Sequence, residues 1–133
     1  MYLLDTDSCI GLLNGTAARL AARLREHAPS EIRLCSVVKA ELFYGARHSS
    51  QVDENLELLA RFFSAIPSTP FDDACAQHYG LIRADLARSG NLIGPNDLLI
   101  AATARAHDLT LVTHNKKEFG RVVGLRVADW EGE

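Results

Sequence analysis

Apolar residues recur along this chain in two alternating rhythms, short unbroken runs and longer stretches spaced three or four apart, which is the pattern of strands interleaved with helices. Tyr2 to Leu4 is a short apolar run ending at Asp5, and Thr6-Asp7-Ser8 offers side-chain oxygens to cap a helix through Ile10, Leu12 and Leu13. Asn14-Gly15 breaks that helix, and Thr16 offers a cap for a second one, Ala17 to His27, which Pro29 stops. Ile32 to Cys35 reads as the second strand. Helices follow over Val37 to Arg47, Gln51 to Ala65 and Asp72 to Arg88, separated by Ser49-Ser50 and by Pro67-Ser68-Thr69-Pro70. Gly94-Pro95 opens a helix carrying Leu98 to Ala106, with proline in the first turn where its missing N–H is harmless. Leu109 to Thr113 is the clearest strand, Lys116 to Phe119 a helical turn, and Leu125 to Val127 a last strand before Trp130.

Short apolar strands alternating with helices predict an α/β fold, a central parallel sheet of about four or five strands with helices on both faces and right-handed crossovers. At 133 residues the chain suits one domain over 1–133, long enough to bury a core without a disulfide or structural metal. The hydrophobic fraction of 47% excludes intrinsic disorder. No apolar run reaches the roughly 18 residues that cross a bilayer, and the opening Tyr2-Leu3-Leu4-Asp5 lacks a leader pattern, so a cytoplasmic protein is expected. Cys9, Cys35 and Cys75 are far apart and odd in number, which suits buried thiols better than a disulfide frame or a zinc site. A net charge of −3 argues against broad coating of duplex DNA, whose affinity comes from many bases on phosphates.

In open α/β sheets, sites form at the carboxyl ends of the strands. Asp5 follows the first strand and Thr113-His114-Asn115 follows the strand ending at Val112, so two strands deliver polar groups to one edge. Glu41 lies four residues after Val37, three after Val38 and four before Gly45, on what the spacing makes the close-packed stripe of its helix. A buried, ionised acid is costly without a cation, and no Lys or Arg recurs at core-facing spacing to meet it. Asp97 shares a face with Ile100, Ala101 and Ala104 at the first turn of its helix. Three or four acids from separate segments make a hard, oxygen-only site, which suits Mg²⁺ or Mn²⁺ better than zinc. Such ions activate water and stabilise charge on a phosphodiester under attack.

Each of these residues also has an ordinary structural reading. Asp5, Asp7 and Asp97 suit helix N-termini, and Glu41 could pair with Lys39 or Arg47 if the helix phase differs. Glu118, three residues after Asn115, resembles a capping box as much as a metal ligand. His114 reads as a solvent-facing loop residue. Lys116, Lys117, Arg121, Lys39 and Arg47 fall near the proposed edge, where they can hold phosphates or be scattered surface bases.

Taken together, Leu3-Leu4-Asp5-Thr6-Asp7, Lys39-Ala40-Glu41-Leu42-Phe43-Tyr44-Gly45-Ala46, Ile93-Gly94-Pro95-Asn96-Asp97-Leu98-Leu99-Ile100-Ala101-Ala102 and Leu111-Val112-Thr113-His114-Asn115-Lys116-Lys117-Glu118-Phe119 closely resemble the PIN-domain toxins called VapC. The resemblance runs nearly end to end and includes the closing Gly124-Leu125-Arg126-Val127-Ala128-Asp129-Trp130. It implies a PIN-like α/β/α sandwich and a Mg²⁺- or Mn²⁺-dependent endoribonuclease, the toxin of a type II toxin–antitoxin pair. A VapB-type antitoxin would inhibit it, the toxin would be a homodimer, and operator DNA would be met only through the antitoxin, with no membrane involved. By motif match Asp5, Glu41 and Asp97 are the metal-binding acids. Glu118 stands at the fourth acidic position, although many relatives place an Asp nearer the strand end, and Thr113 fits a hydroxyl that helps orient the site. Asp7 departs from the family's usual Asn or Ser, leaving open an added metal contact or a replaced cap. The subgroup resembled cuts initiator tRNA in the anticodon stem-loop, and a single-stranded loop exposes phosphates and bases that a duplex hides. The dimer surface is expected on the helices Val37 to Arg47 and Gln51 to Ala65, with Phe43, Tyr44 and Phe62 exposed.

Two rival functions stay open at this point. Leu3-Leu4-Asp5-Thr6-Asp7-Ser8 also looks like the strand and Asp-x-Asp of a haloacid-dehalogenase-type phosphatase, with Asp5 as nucleophile and Asp7 as acid/base. That fold is usually longer and needs a downstream Lys and an acidic pair directly after a strand, whereas Asp97 follows Gly-Pro and starts a helix. A non-catalytic binding module of the same fold would leave the acids spare.

Overall fold

Tyr2–Leu4 forms the central strand of a five-stranded, all-parallel sheet in the computed structural model, which describes residues 1–132. In chain order the elements are β1 (Tyr2–Leu4), α1 (Thr6–Asn14), α2 (Ala18–Arg25), β2 (Ile32–Cys35), α3 (Ser36–Arg47), α4 (Val52–Ala65), β3 (Ser68–Thr69), α5 (Asp73–Arg88), α6 (Pro95–Ala106), β4 (Thr110–Val112), α7 (Lys116–Phe119) and β5 (Val127–Ala128). The strand order is β3-β2-β1-β4-β5. Leu3 and Leu4 are wholly buried because β1 has a neighbour on each side, with Tyr2 opposite Ile32 of β2 and Leu4 opposite Val112 of β4. The expected α/β sandwich with a parallel sheet is the observed one.

From β1 the chain builds β2 and β3 on one side, then crosses back to lay down β4 and β5 on the other. The order therefore reverses between β1 and β4, and the crevice beyond their carboxyl ends is where such a sheet places a ligand. Asp5 and Thr113 flank that crevice. Asp5 N–H donates to Val112 O at 3.1 Å, and Thr113 N–H to Ala128 O at 3.0 Å.

Several local expectations are corrected. The segment read as a separator, Pro67 to Pro70, contains β3, which pairs only with β2. An edge strand tolerates the flanking prolines because its outer side needs no N–H donors. The last strand is Val127–Ala128, displaced toward the C-terminus from the expected run. Asp5, and not Thr6-Asp7-Ser8, caps α1, and the α2 cap at Ala17 carries no side-chain hydrogen bond, so Thr16 has no capping role. The Asn14-Gly15 break holds: Gly15 takes the left-handed conformation (φ 70°) and its N–H closes α1 on the Gly11 and Leu12 carbonyls. Phe62 is half-buried, while Phe43 and Tyr44 are exposed.

The C-terminal segment is pinned by Trp130, which is buried, stacks on His27 at 4.9 Å and leans on Tyr2 at 4.8 Å. All three cysteines are buried and unbridged, as expected. Among the described residues no helix is long and apolar enough to cross a membrane.

Candidate active site

Asp5 enters the crevice straight from β1 and is buried. One of its oxygens, Oδ1, accepts the Ser8 N–H at 2.9 Å, which starts α1 and leaves Oδ2 for another partner. Ser8 is itself locked in place, its hydroxyl donating to Val112 O at 3.4 Å. Burial pushes the Asp5 carboxyl up from the ordinary aspartate value, and hydrogen bonding from Ser8 and Thr113 works against that push. The buried Thr113 hydroxyl also accepts the Asn115 N–H at 3.0 Å, so it braces both Asp5 and the loop after β4.

Glu41 stands on α3, but not on its buried stripe, which runs through Val38, Leu42 and Ala46. It sits half-buried at the stripe's margin, and hydrogen-bond donors meet it where a cation was expected. Thr6 Oγ1 donates to its Oε1 at 2.5 Å and Asn96 Nδ2 to its Oε2 at 3.3 Å. Asp97 lies half-buried in the first turn of α6. Burial, with the charges of Glu41, Glu118, Asp5 and Asp7, raises its carboxyl to about 6. Asn115 caps α7, its Oδ1 accepting the Glu118 N–H at 3.4 Å, but the capping box is not closed: Glu118 Oε2 accepts from Asn115 Nδ2 at 3.1 Å, while the Asn115 backbone N–H goes to Thr113.

These acids thus share one electrostatic neighbourhood without closing up. Among the described residues no three of their oxygens lie within 4.8 Å of one another, and none of Asp5, Glu41, Asp97 or Glu118 forms an ion pair. Mutually repelling carboxylates, oxygen donors alone and no protein cation make a donor set that fits a hard divalent ion. Two clefts border it. One of about 340 Å³ lies against Asp5, Asp7, His114 and Asn115, and one of about 710 Å³ runs from Asp7 past Glu41 to Asn96.

Of the five bases expected at this edge, Lys116 holds its ammonium 3.6 Å from Asp129. Lys39 instead lies over the Phe63 ring at 4.7 Å, and Arg121 reaches the Asn91 and Leu92 carbonyls in the α5–α6 turn. Sequence reasoning gave Asp129 no role beyond the closing motif. Its shielded carboxylate accepts the Glu131 and Gly132 N–H groups, both at 2.9 Å, and faces exposed His114 at 3.1 Å. Burial opposes its ionisation, but those hydrogen bonds outweigh it and hold the carboxyl below the usual range. An acid ahead of a buried tryptophan was the one available signal.

The PIN domain family model matches residues 2–125. The tRNA(fMet)-specific endonuclease VapC of Shigella flexneri is 40% identical over 129 residues, covering 97% of each chain. Ribonuclease VapC of Haemophilus influenzae is 36% identical over 129 residues, again covering 97% of each chain. Among solved structures, DNA-bound VapBC from Salmonella typhimurium superposes with a TM-score of 0.92 at 36% identity, covering 97% of each chain. VapBC-1 from nontypeable Haemophilus influenzae does so at 0.90 and 30% identity, covering 98% of each chain.

Proposed function

This chain belongs to the PIN domain family and is a ribonuclease of the VapC type, the toxin of a toxin–antitoxin pair, and from that premise we propose that it cuts RNA with Mg²⁺ or Mn²⁺ held by Asp5, Glu41 and Asp97. One observation carries the proposal: three acids from three separate elements share one electrostatic neighbourhood by the reversal point of the sheet, and among the described residues no protein cation pairs with them. The family membership displaces the phosphatase alternative, and the full-length ribonuclease relatives speak against a non-catalytic module of the same fold.

When bound, the ion supplies an activated water and offsets charge on the phosphate under attack. Asp5 is fixed for this by Ser8 and Thr113, and Glu41 by Thr6 and Asn96. Thr113 is a positioning residue, as it braces Asp5 and the start of the following loop. Glu118 acts on Asp97 through its charge, and its own orientation is set by Asn115. His114, which lines the Asp5 cleft, and exposed Lys116, two residues on, are the proposed contacts for RNA phosphates. The substrate proposed is a structured RNA loop, with the initiator tRNA anticodon stem-loop first, since the relative from Shigella flexneri is named for tRNA(fMet).

The partner proposed is a VapB-type antitoxin. An apolar groove of about 250 Å³ between α1, α3 and α4, lined by Ile10, Leu13, Leu42 and Leu58, borders Glu41 and suits an apolar segment of such a partner. A homodimer through the exposed Phe43 and Tyr44 of α3 is proposed as well.

The test is to incubate antitoxin-free protein with total tRNA and with isolated RNA stem-loops, adding Mg²⁺, Mn²⁺ or EDTA, beside Asp5→Asn and Asp97→Asn. Metal-dependent cutting that falls at least about 100-fold in both variants is expected. Cutting that persists in EDTA, or that the folded variants retain, would refute the metal-site assignment.

A further inference from the structure

A second group of metal-type donors lies where α5 begins and α6 ends, at the opposite end of α6 from Asp97. We propose that Asp72, Cys75 and His107 form a binding site for a borderline transition-metal cation, Zn²⁺ foremost, which ties the start of α5 to the end of α6.

Asp72 caps α5, its Oδ1 accepting the Cys75 N–H at 3.1 Å. That leaves Oδ2, which stands 3.3 Å from Nε2 of His107, the residue capping the end of α6. Cys75 lies in the first turn of α5, buried, with the Pro70 carbonyl 3.7 Å from its sulfur. One oxygen, one sulfur and one nitrogen thus lie within 4.8 Å of one another. Tetrahedral zinc, with bonds of about 2.0 to 2.3 Å, sets its ligand atoms about 3.3 to 3.8 Å apart. Closing the trio therefore takes about 1 Å, within reach of side-chain rotation.

The second observation is His107 itself. Its Nε2 is shut off from solvent and finds no hydrogen-bond partner among the described residues, even with Asp72 so near. A buried ring nitrogen that faces a carboxylate without a well-aligned hydrogen bond is poorly satisfied. A simple Asp72–His107 ion pair would use neither the thiol nor a well-aligned hydrogen bond, whereas a cation takes the nitrogen lone pair, the free carboxylate oxygen and the thiolate together. The mixed oxygen, nitrogen and sulfur set favours Zn²⁺ over Mg²⁺, the reverse of the acids around Asp97. Nε2 itself is shielded, so an ion and a fourth ligand, water, would enter past Asp72, whose side chain remains partly open to solvent. From residue 97 to residue 107 along α6 is about 15 Å at helical rise, so the two sites are separate. Cys75 thereby acquires a role that its packing alone does not suggest.

The experiment titrates the EDTA-treated, desalted full chain with Co²⁺ and then Zn²⁺, reading cobalt–thiolate charge-transfer absorption and the melting temperature. The parent and Asp97→Asn should both develop the band at one cobalt per chain and lose it to Zn²⁺. Zn²⁺ at about 100-fold over its Kd should raise Tm by about 8 °C. Cys75→Ser and His107→Gln should lose the band or bind at least about tenfold more weakly, each checked for fold by circular dichroism. His107 is partly exposed, so its variant serves if Cys75→Ser does not fold. Absence of a thiolate band in the parent, or an undiminished band or Tm rise in either folded variant, overturns the site.

Discussion

Thr6 Oγ1 donates to Glu41 Oε1 across 2.5 Å, joining α1 to α3 through two side chains 35 positions apart. With Asn96 on the other oxygen, this hydroxyl restrains the rotation of the carboxylate. A carboxylate free to rotate would hold a cation less well, since a site that is loose by a fraction of an ångström loses rate before it loses fold.

Thr6→Val keeps the shape of the side chain and removes the donor. The expected result is a fall of about tenfold in kcat/KM for RNA cleavage, worth about 1.4 kcal/mol, with Tm lowered by only a few degrees. Glu41→Gln should fall much further. Steady-state cleavage of one labelled stem-loop with calorimetry of the same samples decides it, and parental rates in Thr6→Val would show that Glu41 needs no such brace.

Asp97 makes stability depend on pH. Its folded carboxyl titrates at about 6 against an ordinary value of 3.8, so between those values the folded chain holds more protons than the unfolded one. Stability contributed by this group therefore falls as pH rises from about 4 to about 6 and stays low above. Asp97→Asn should raise the Tm of EDTA-treated protein by a few degrees near pH 8, and the gain should vanish near pH 4. Mg²⁺ should stabilise the parent and not the variant. Equal stability at both pH values, or equal stabilisation by Mg²⁺, would show that Asp97 is neither raised by burial and its acidic neighbours nor a metal ligand.

The parts of this site readable from sequence are those set by local pattern. Asp5 and Thr113 each end an apolar run, so strand periodicity alone puts them at one edge, and Asn115 caps the Glu118 N–H at the spacing the sequence shows. Glu41 was placed by helical spacing, which found the right helix but set it on the buried stripe, a quarter turn from where Val38, Leu42 and Ala46 lie. The rest depends on contacts between distant segments. Thr6 and Asn96 count only because α1 and α6 both approach α3, β3 is two residues between prolines that only a neighbouring strand makes extended, and His107 meets Asp72 only once α5 and α6 lie antiparallel.

Asp129 anchors the C-terminal segment against the site. Asp129→Ala removes the acceptor for two backbone N–H groups and the partner of His114 and Lys116, and should cost about 1 to 3 kcal/mol at neutral pH. Because the folded carboxyl is depressed, its stabilisation is present above the ordinary value and lost as pH falls through the folded one. Urea denaturation of parent and variant should therefore differ at pH near 7 and converge in strong acid. A gap that persists in acid would mean that lost packing, and not the charged acceptor, sets the cost.

Asp7 separates the two chemistries that the opening Asp5-Thr6-Asp7 once allowed. It is exposed in the first turn of α1, and of the four carboxylates raising Asp97 it acts the least. A phosphatase using Asp5 as nucleophile would need Asp7 to protonate the leaving group and would lose nearly all activity without it. A nuclease whose metal rests on Asp5, Glu41 and Asp97 loses only a nearby charge. Asp7→Ala should thus keep RNA cleavage within about tenfold of the parent, with metal affinity slightly weaker, and the parent should not hydrolyse a small phosphomonoester. Cleavage falling in Asp7→Ala as far as in Asp5→Asn would instead make Asp7 a ligand, moving the metal toward the cleft that Asp5, Asp7 and His114 share.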